Sequence, residues 1–389
     1  MSRKYQVISG DGHVETPPDP WVRHVPEKYR DRAPRLIKLP DGHGDAWMVE
    51  GQPLLPTGQN ITGPGPIKFA DASYTFDDGS PREGTGDARQ RLEEQDRDGI
   101  DAEVLFPPVF ATRFIEGISD RDVYRSIVRA YNTFLAEDYC SVAPDRLIGS
   151  AFVPVSGIDD AIAELEYAKA AGLKSVTLQQ FPNGTGKPSR EDDRFWERAL
   201  ELGMALSPHI SFGDRTAAQL AVGASRAADS VASAITQHTG TCPPAYCLAQ
   251  MIMAGVFDRF PEIRFYFAEI NGAHLPAILY YMDRDFTCYN EWFQAELPRM
   301  PSEYIKTHCL FGIIRDPLAL RMGDFMPLDW FMWGSDFPHS VGTYPRSRQF
   351  IDELFADVDE KVRRRILLEN PAEYFGLDLD ADITPTPTH

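Results

Sequence analysis

The chain has 389 residues, 43% of them hydrophobic and 25% charged, a composition that supports a large folded core and argues against disorder. A formal net charge of −19 disfavours nucleic-acid binding, which needs a basic surface to meet phosphate. No apolar run approaches the ~20 residues of a membrane-spanning helix, so the expected partner is a small molecule, with no nucleic acid and no membrane.

Residues 5–9 read as a short buried strand. The stretch 17–83 is rich in Pro and Gly yet carries apolar and aromatic residues, so it reads as an elaborated insertion with a small hairpin near Trp47 and a turn at Gly51. Loops of this length are uncommon in compact domains unless they serve a function. From about residue 88 a regular alternation sets in. Helices are predicted over 88–97, 122–139, 159–171, 192–202, 275–286 and 317–322. Strands are predicted over 102–106, 147–153, 175–179, 205–209, 264–268, 309–312 and 330–333, with a long mixed helical stretch running from 210 to about 260. With the first, these make eight strands separated by helices, the pattern of a parallel α/β architecture. Eight such units fit a closed (β/α)8 TIM barrel better than an open sheet. The expected organisation is a single barrel over 1–379, with 17–83 inserted after the first strand, and a flexible Thr- and Pro-rich tail over 380–389.

The five cysteines, Cys140, Cys242, Cys247, Cys288 and Cys309, are odd in number and include no CxxC pair. That pattern suits reduced thiols rather than a disulfide framework or a structural zinc knot. The N-terminal residues run straight into the first strand without an apolar signal stretch, so the expected address is cytoplasmic.

Barrel active sites lie at the C-terminal ends of the strands. The first strand runs into Asp11-Gly12-His13-Val14-Glu15, and alternation places 11, 13 and 15 on one side. The fifth ends at His209, the sixth at Glu269, and the eighth at Asp336, with His339 three residues on. Carboxylates and imidazoles from four strand ends suit one divalent ion, zinc first, with manganese or iron as alternatives. Each residue also has an ordinary reading: His209 as a core histidine, Asp336 as a cap, Glu269 as a partner of an arginine. Their joint placement at strand ends is what favours metal.

The chain resembles the amidohydrolase superfamily, in the branch that contains aminocarboxymuconate-semialdehyde and γ-resorcylate decarboxylases. The resemblance rests on the segment from Gln250 through Phe260-Pro261 to Gly272 and Pro276, on 91–106, on Asp316-Pro317-Leu318, on Gly334-Ser335-Asp336-Phe337-Pro338 and on Glu369-Asn370-Pro371-Ala372. It implies that His13 and His209 are metal ligands and Asp336 the aspartate beside the metal. Glu15 stands where an HxH motif would have its second histidine. Members with an acidic-x-His pair instead make Asp11 the ligand; Asp11 is preferred and Glu15 kept as the alternative. Glu269 stands where the decarboxylases carry a histidine, and His339 or His238 could supply the missing imidazole.

With Asp336 and Glu269 as proton-transfer groups, and His339 as a further catalytic candidate, the leading expectation is hydrolysis of a C–N or C–C bond by an activated water. The second is non-oxidative decarboxylation of an aromatic or enoic acid. Trp21, Phe106, Phe110, Phe212, Phe337 and Tyr344 suggest an apolar mouth. Arg113, Arg315 and Arg346 are candidate carboxylate anchors. The resemblance also implies a homodimer.

Overall fold

The computed structural model describes residues 3–53, 61, 63, 72–108, 115–209, 212 and 243–387. Eleven strands are assigned among them: β1 (Ile8–His13), β2 (Arg35–Lys38), β3 (Asp45–Val49), β4 (Gln52–Pro53), β5 (Ala102–Phe106), β6 (Leu147–Phe152), β7 (Ser175–Leu178), β8 (Ala205–Pro208), β9 (Phe265–Phe267), β10 (Cys309–Ile313) and β11 (Phe331–Trp333). Eight of them form one parallel sheet in the order β1-β5-β6-β7-β8-β9-β10-β11. A parallel bridge between Gly12 and Phe337 joins its two edges. There the Asp336 N–H donates to Asp11 O (2.9 Å) and the His13 N–H to Phe337 O (2.8 Å). The sheet is thus a barrel, as the strand count predicts.

Two apolar layers follow from strand alternation. Inside the barrel, Ile8, Val104, Ile148, Tyr266, Leu310 and Met332 pack together, and the C-terminal helix plugs that interior with Ala372 and Phe375. Outside, a larger core lies between the strands and the surrounding helices. The helices include α1 (Ala88–Asp98), α2 (Arg121–Thr133), α3 (Ile158–Ala170), α4 (Asp193–Leu202), α5 (Pro243–Met253) and α6 (Leu275–Phe293). The Asp87 side chain caps α1 at the Gln90 N–H, and Gly99 closes it at φ 76°, a conformation that favours glycine.

Local departures from the sequence expectation have local causes. The first strand starts later and runs further than 5–9, because pairing with β5 carries it through His13. The 122–139 helix is α-helical only to Thr133 and continues as a π-helical turn over Phe134–Tyr139. The predicted helix at 317–322 is a 3-10 turn at Ala319–Arg321. Helix α6 passes residue 286 and ends at Phe293. In the 17–83 stretch, β2, β3 and β4 form a small antiparallel sheet. Its β3–β4 turn places Glu50 (φ 48°) and Gly51 (φ 79°) in the left-handed region, as a tight hairpin requires.

Residues 380–387, where composition suggests a loose tail, have defined partners: Ile383 is buried, its N–H donates to Arg3 O, and Arg146 donates to Thr386. No helix among the described residues is long and apolar enough to cross a membrane.

Candidate metal centre

The register of β1 against β5 shifts between Ser9 and Gly12, where β1 gains one residue over its partner. Such a bulge re-aims side chains. Here it lies beside Asp11, immediately before the two predicted first-strand ligands. Asp11, His13 and His209 are all fully buried, and each brings one ligand atom within 4.8 Å of the others. The His13 Nε2 lies 3.5 Å from Asp11 Oδ1 and 3.4 Å from Asp336 Oδ1. The His209 Nε2 lies 3.7 Å from the same Asp11 oxygen. Asp11, His13 and His209 therefore come together as one possible ligand set, and Asp336, the fourth residue preferred from sequence, lies against His13.

The donor set fits a divalent cation. Both Asp11 carboxylate oxygens and the His13 Nε2 are buried without a hydrogen-bond partner, an arrangement that costs free energy unless a cation satisfies it. The His13 Nδ1 lies 3.2 Å from Pro107 O. Donation there leaves the Nε2 lone pair facing the cluster, the usual way a ligand histidine is oriented. Burial, and next the neighbouring Asp336, push the Asp11 carboxyl up to about 8. Burial likewise lowers His13.

His339 belongs to the site. Its ring stacks on His13 at 4.1 Å, its Nδ1 lies 2.8 Å from Asp336 Oδ1, and its Nε2 lies 3.3 Å from Glu15 Oε1. Burial alone would lower its basicity, but Asp336 and then Glu15 outweigh that and hold it well above the usual histidine range. Burial would raise Asp336, but His339 and His13 prevail and hold it below the usual carboxylate range. Glu15 faces His13 and His339 in a second group of possible ligands.

Glu269 is buried, with Oε2 3.8 Å from His209 Nδ1. Loss of water, then repulsion from Asp336 and Asp11, push its carboxyl well above the usual range. Glu269, Asn271 and Asp336 have φ of 59°, 57° and 52°, positions that each cost a non-glycine residue on the order of 1 kcal/mol or more. The folded loops hold them there: the Asn271 N–H donates to Gly312 O, and the His339 N–H to Asp336 O.

Of the remaining sequence candidates, Phe106 packs edge-on to His209 at 4.9 Å, and Phe337 lies against Tyr344 at 4.2 Å. Trp21 is core, against Trp47 and Tyr131, and Phe212 packs on Phe181. Arg315 and Arg346 both lie over the Phe350 ring. His238, Phe110 and Arg113 lie outside the described residues.

One group was not singled out from the sequence. Buried Arg91 donates from Nη1 to His13 O and from Nη2 to Phe337 O, both at 3.1 Å. Its Nε donates to Glu103 Oε2 at 2.8 Å, while the other Glu103 oxygen accepts from Ser335 Oγ at 2.7 Å. One ion pair thus ties together both ligand-bearing segments where the barrel closes. Its signal lies in the glycines. A Cβ on Gly12 would stand 2.3 Å from Glu103 Oε1, and one on Gly334 would stand 2.4 Å from Asp11 Cβ.

A parallel eight-stranded barrel with this carboxylate and imidazole cluster at its seam defines a metal-dependent enzyme scaffold. The amidohydrolase family model matches residues 41–377, and the chain belongs to that family of enzymes. It is 24% identical over 295 residues to a 2-amino-3-carboxymuconate-6-semialdehyde decarboxylase from Dictyostelium discoideum, covering 74% of this chain and 76% of that protein. An amidohydrolase from Mycobacterium avium subsp. paratuberculosis K-10 superposes with a TM-score of 0.73 at 19% identity, over 98% of this chain and 100% of that one. A 5-carboxyvanillate decarboxylase from Novosphingobium aromaticivorans DSM 12444, complexed with manganese and 4-hydroxy-3-methoxy-5-nitrobenzoic acid, gives 0.60 at 18% identity, over 74% and 80% of the two chains. Relatives that bear decarboxylase names favour the second of the two reactions expected from sequence.

Proposed function

We propose that the chain is a metal-dependent, non-oxidative decarboxylase of a small aromatic or enoic acid, with Asp11, His13, His209 and Asp336 as the residues that hold the ion. The observation that carries the reading is Glu269: a buried carboxyl beside the cluster, whose acid form is favoured chiefly by loss of water. A neutral acid in that place suits proton delivery to carbon. It suits poorly the ionised base that water attack requires. The site's ionised carboxylate, Asp336, is already engaged by His339.

A divalent ion supplies Lewis acidity that orients an anionic substrate and draws charge from it. Two carboxylates and two imidazoles are a mixed set that manganese and zinc both accept. In the reaction, the bond between the substrate carbon and its carboxylate breaks, and carbon dioxide leaves. The electron pair stays on that carbon and takes the Glu269 proton, which solvent replaces as product departs. Phe106, edge-on to the His209 imidazole, offers an apolar wall that keeps water from competing for the proton. Asp336 keeps His339 charged, and that imidazolium balances the carboxylates.

The test is turnover in heavy water of protein loaded with manganese or zinc, against hydroxybenzoates, carboxyvanillate and carboxymuconate-type acids. The expected result is carbon dioxide with one deuterium on the carbon that lost it. Oxygen from labelled water in the organic product, without carbon dioxide, would overturn the proposal in favour of hydrolysis.

A further inference from the structure

A cavity of about 330 Å³ opens between the 17–83 insertion and the loop that follows β11. Small-molecule sites typically span ~300–1,000 Å³. Phe76, Phe337 and Tyr344 give the cavity aromatic walls, and Arg82, Glu83 and Arg346 are its charged lining. Asp11, His13, His209, Glu269, Asp336 and His339 are not among its lining residues. The Phe337 ring lies 4.5 Å from the Arg91 guanidinium on α1, and a Cβ on Gly84 would meet Pro338 at 2.4 Å and Phe337 at 3.3 Å. This wall therefore faces the outer side of the barrel seam, away from the metal cluster. The charges of the lining do not cancel. The Glu83 carboxylate is already engaged: its Oε1 accepts from Arg97 Nη1 at 2.8 Å and from the Tyr344 hydroxyl at 3.1 Å. Arg346 has no carboxylate partner among the described residues and lies over the Phe350 ring at 5.3 Å. The Arg82 guanidinium lies over the Phe76 ring at 4.7 Å. An excess of cation here stands out on a chain whose net charge is −19.

We propose that this cavity is a second binding site, outside the metal chamber, for a small aromatic carboxylate. A carboxylate matches the planar, forked donors of a guanidinium. The ring that bears it finds aromatic surface at Phe337, at Tyr344 and at Phe76 on the exposed rim, where ring–ring contact adds to burial. A neutral ring would leave the guanidinium charge without a partner. A bare oxyanion would leave the aromatic walls in water. The two features together select a molecule that carries both. Stacking on Phe76 and Phe350 restrains the two arginines before a ligand arrives, which lowers the ordering cost of binding. Phe337 and Pro338 stand between Asp336 and His339 in the chain. The occupant thus touches the loop that carries the metal centre without entering the centre itself.

The probe is 2-naphthoate, titrated by calorimetry into the full chain with its metal centre disabled by Asp11→Asn, with 2-naphthamide and inorganic phosphate as comparisons. The expected result is one naphthoate bound per chain. Adding Arg346→Met weakens it at least about 10-fold, as loss of a charged hydrogen bond entails, and Phe76→Ala weakens it about threefold, as loss of an aromatic contact does. Both side chains are exposed, and unchanged far-UV circular dichroism shows that these variants still fold. Naphthamide binds at least about 10-fold more weakly than naphthoate, and phosphate does not displace it. In manganese-loaded wild type, Arg346→Met removes the same binding step. Four outcomes would overturn the proposal: no binding to the Asp11→Asn protein, an affinity that Arg346→Met leaves unmoved, equal binding of the amide, or displacement by phosphate.

Discussion

Replacing Glu103 with leucine tests how far the barrel seam depends on one ion pair. The change leaves the Arg91 guanidinium buried, with its two carbonyl acceptors but without the carboxylate 2.8 Å from Nε. It also takes away the nearer acceptor of Ser335 Oγ, leaving Asp11 O at 3.3 Å. Breaking a buried pair by removing one partner typically costs ~3–5 kcal/mol, because the remaining charge is uncompensated. Arg91→Met alone carries a comparable cost. In the double variant no charge is stranded, so its loss falls short of the sum of the singles by ~2 kcal/mol or more. Urea unfolding of the metal-free proteins measures the cycle, and manganese titration of the folded variants follows the site. The loops that carry His13 and Asp336 are held by this pair, so metal affinity falls ~10–100-fold, as for other changes to groups that support ligands. Additive costs, or a Glu103→Leu protein within about 1 kcal/mol of wild type, would refute the reasoning.

Three further outcomes follow from the same geometry. The Asp11 carboxyl sits at about 8 in the metal-free fold against ~3.9 when unfolded, so between those values the folded state binds the extra proton. Metal-free stability therefore falls as pH rises from about 4 to about 8. Asp11→Asn flattens that slope in thermal melts, and a slope unchanged by the substitution counts against the assignment. Chelation lowers the melting temperature and manganese restores it, since a ligand at 100 times its Kd adds ~2.7 kcal/mol; indifference to chelator would remove the metal centre. Gly334→Ala forces a Cβ to within 2.4 Å of Asp11 Cβ. Overpacking of that kind costs ~1–3 kcal/mol, and here it also displaces Asp11, so the variant loses metal affinity in an equilibrium titration more than it loses stability.

The barrel was legible because alternation of strand and helix is a local signal, repeated eight times. The centre was legible for a related reason: the strand ends converge in space, so residues such as His209 and Asp336 declare themselves by position. What escaped was non-local or set by the backbone. Nothing around Arg91 or Glu103 in the chain announces that they meet Ser335 and Phe337, some 240 residues away. The extra residue in β1 is visible only against β5. Strand β2 was missed because Arg35–Lys38 is exposed or half-exposed throughout, which removes the burial pattern that marks a strand. Glu269 was noticed as a departure from a histidine, but the direction of its acidity depends on burial and on Asp11 and Asp336 converging upon it.

The centre straddles the first and last strands of the barrel, with Asp11 and Ser335 in contact across 324 positions of chain. On the ribosome, Asp11 and His13 emerge early and His209 midway, but Asp336 and His339 leave the exit tunnel only when synthesis is nearly over. A nascent chain therefore holds only part of the candidate donor set for most of its translation. The complete set exists only once the final strand has docked.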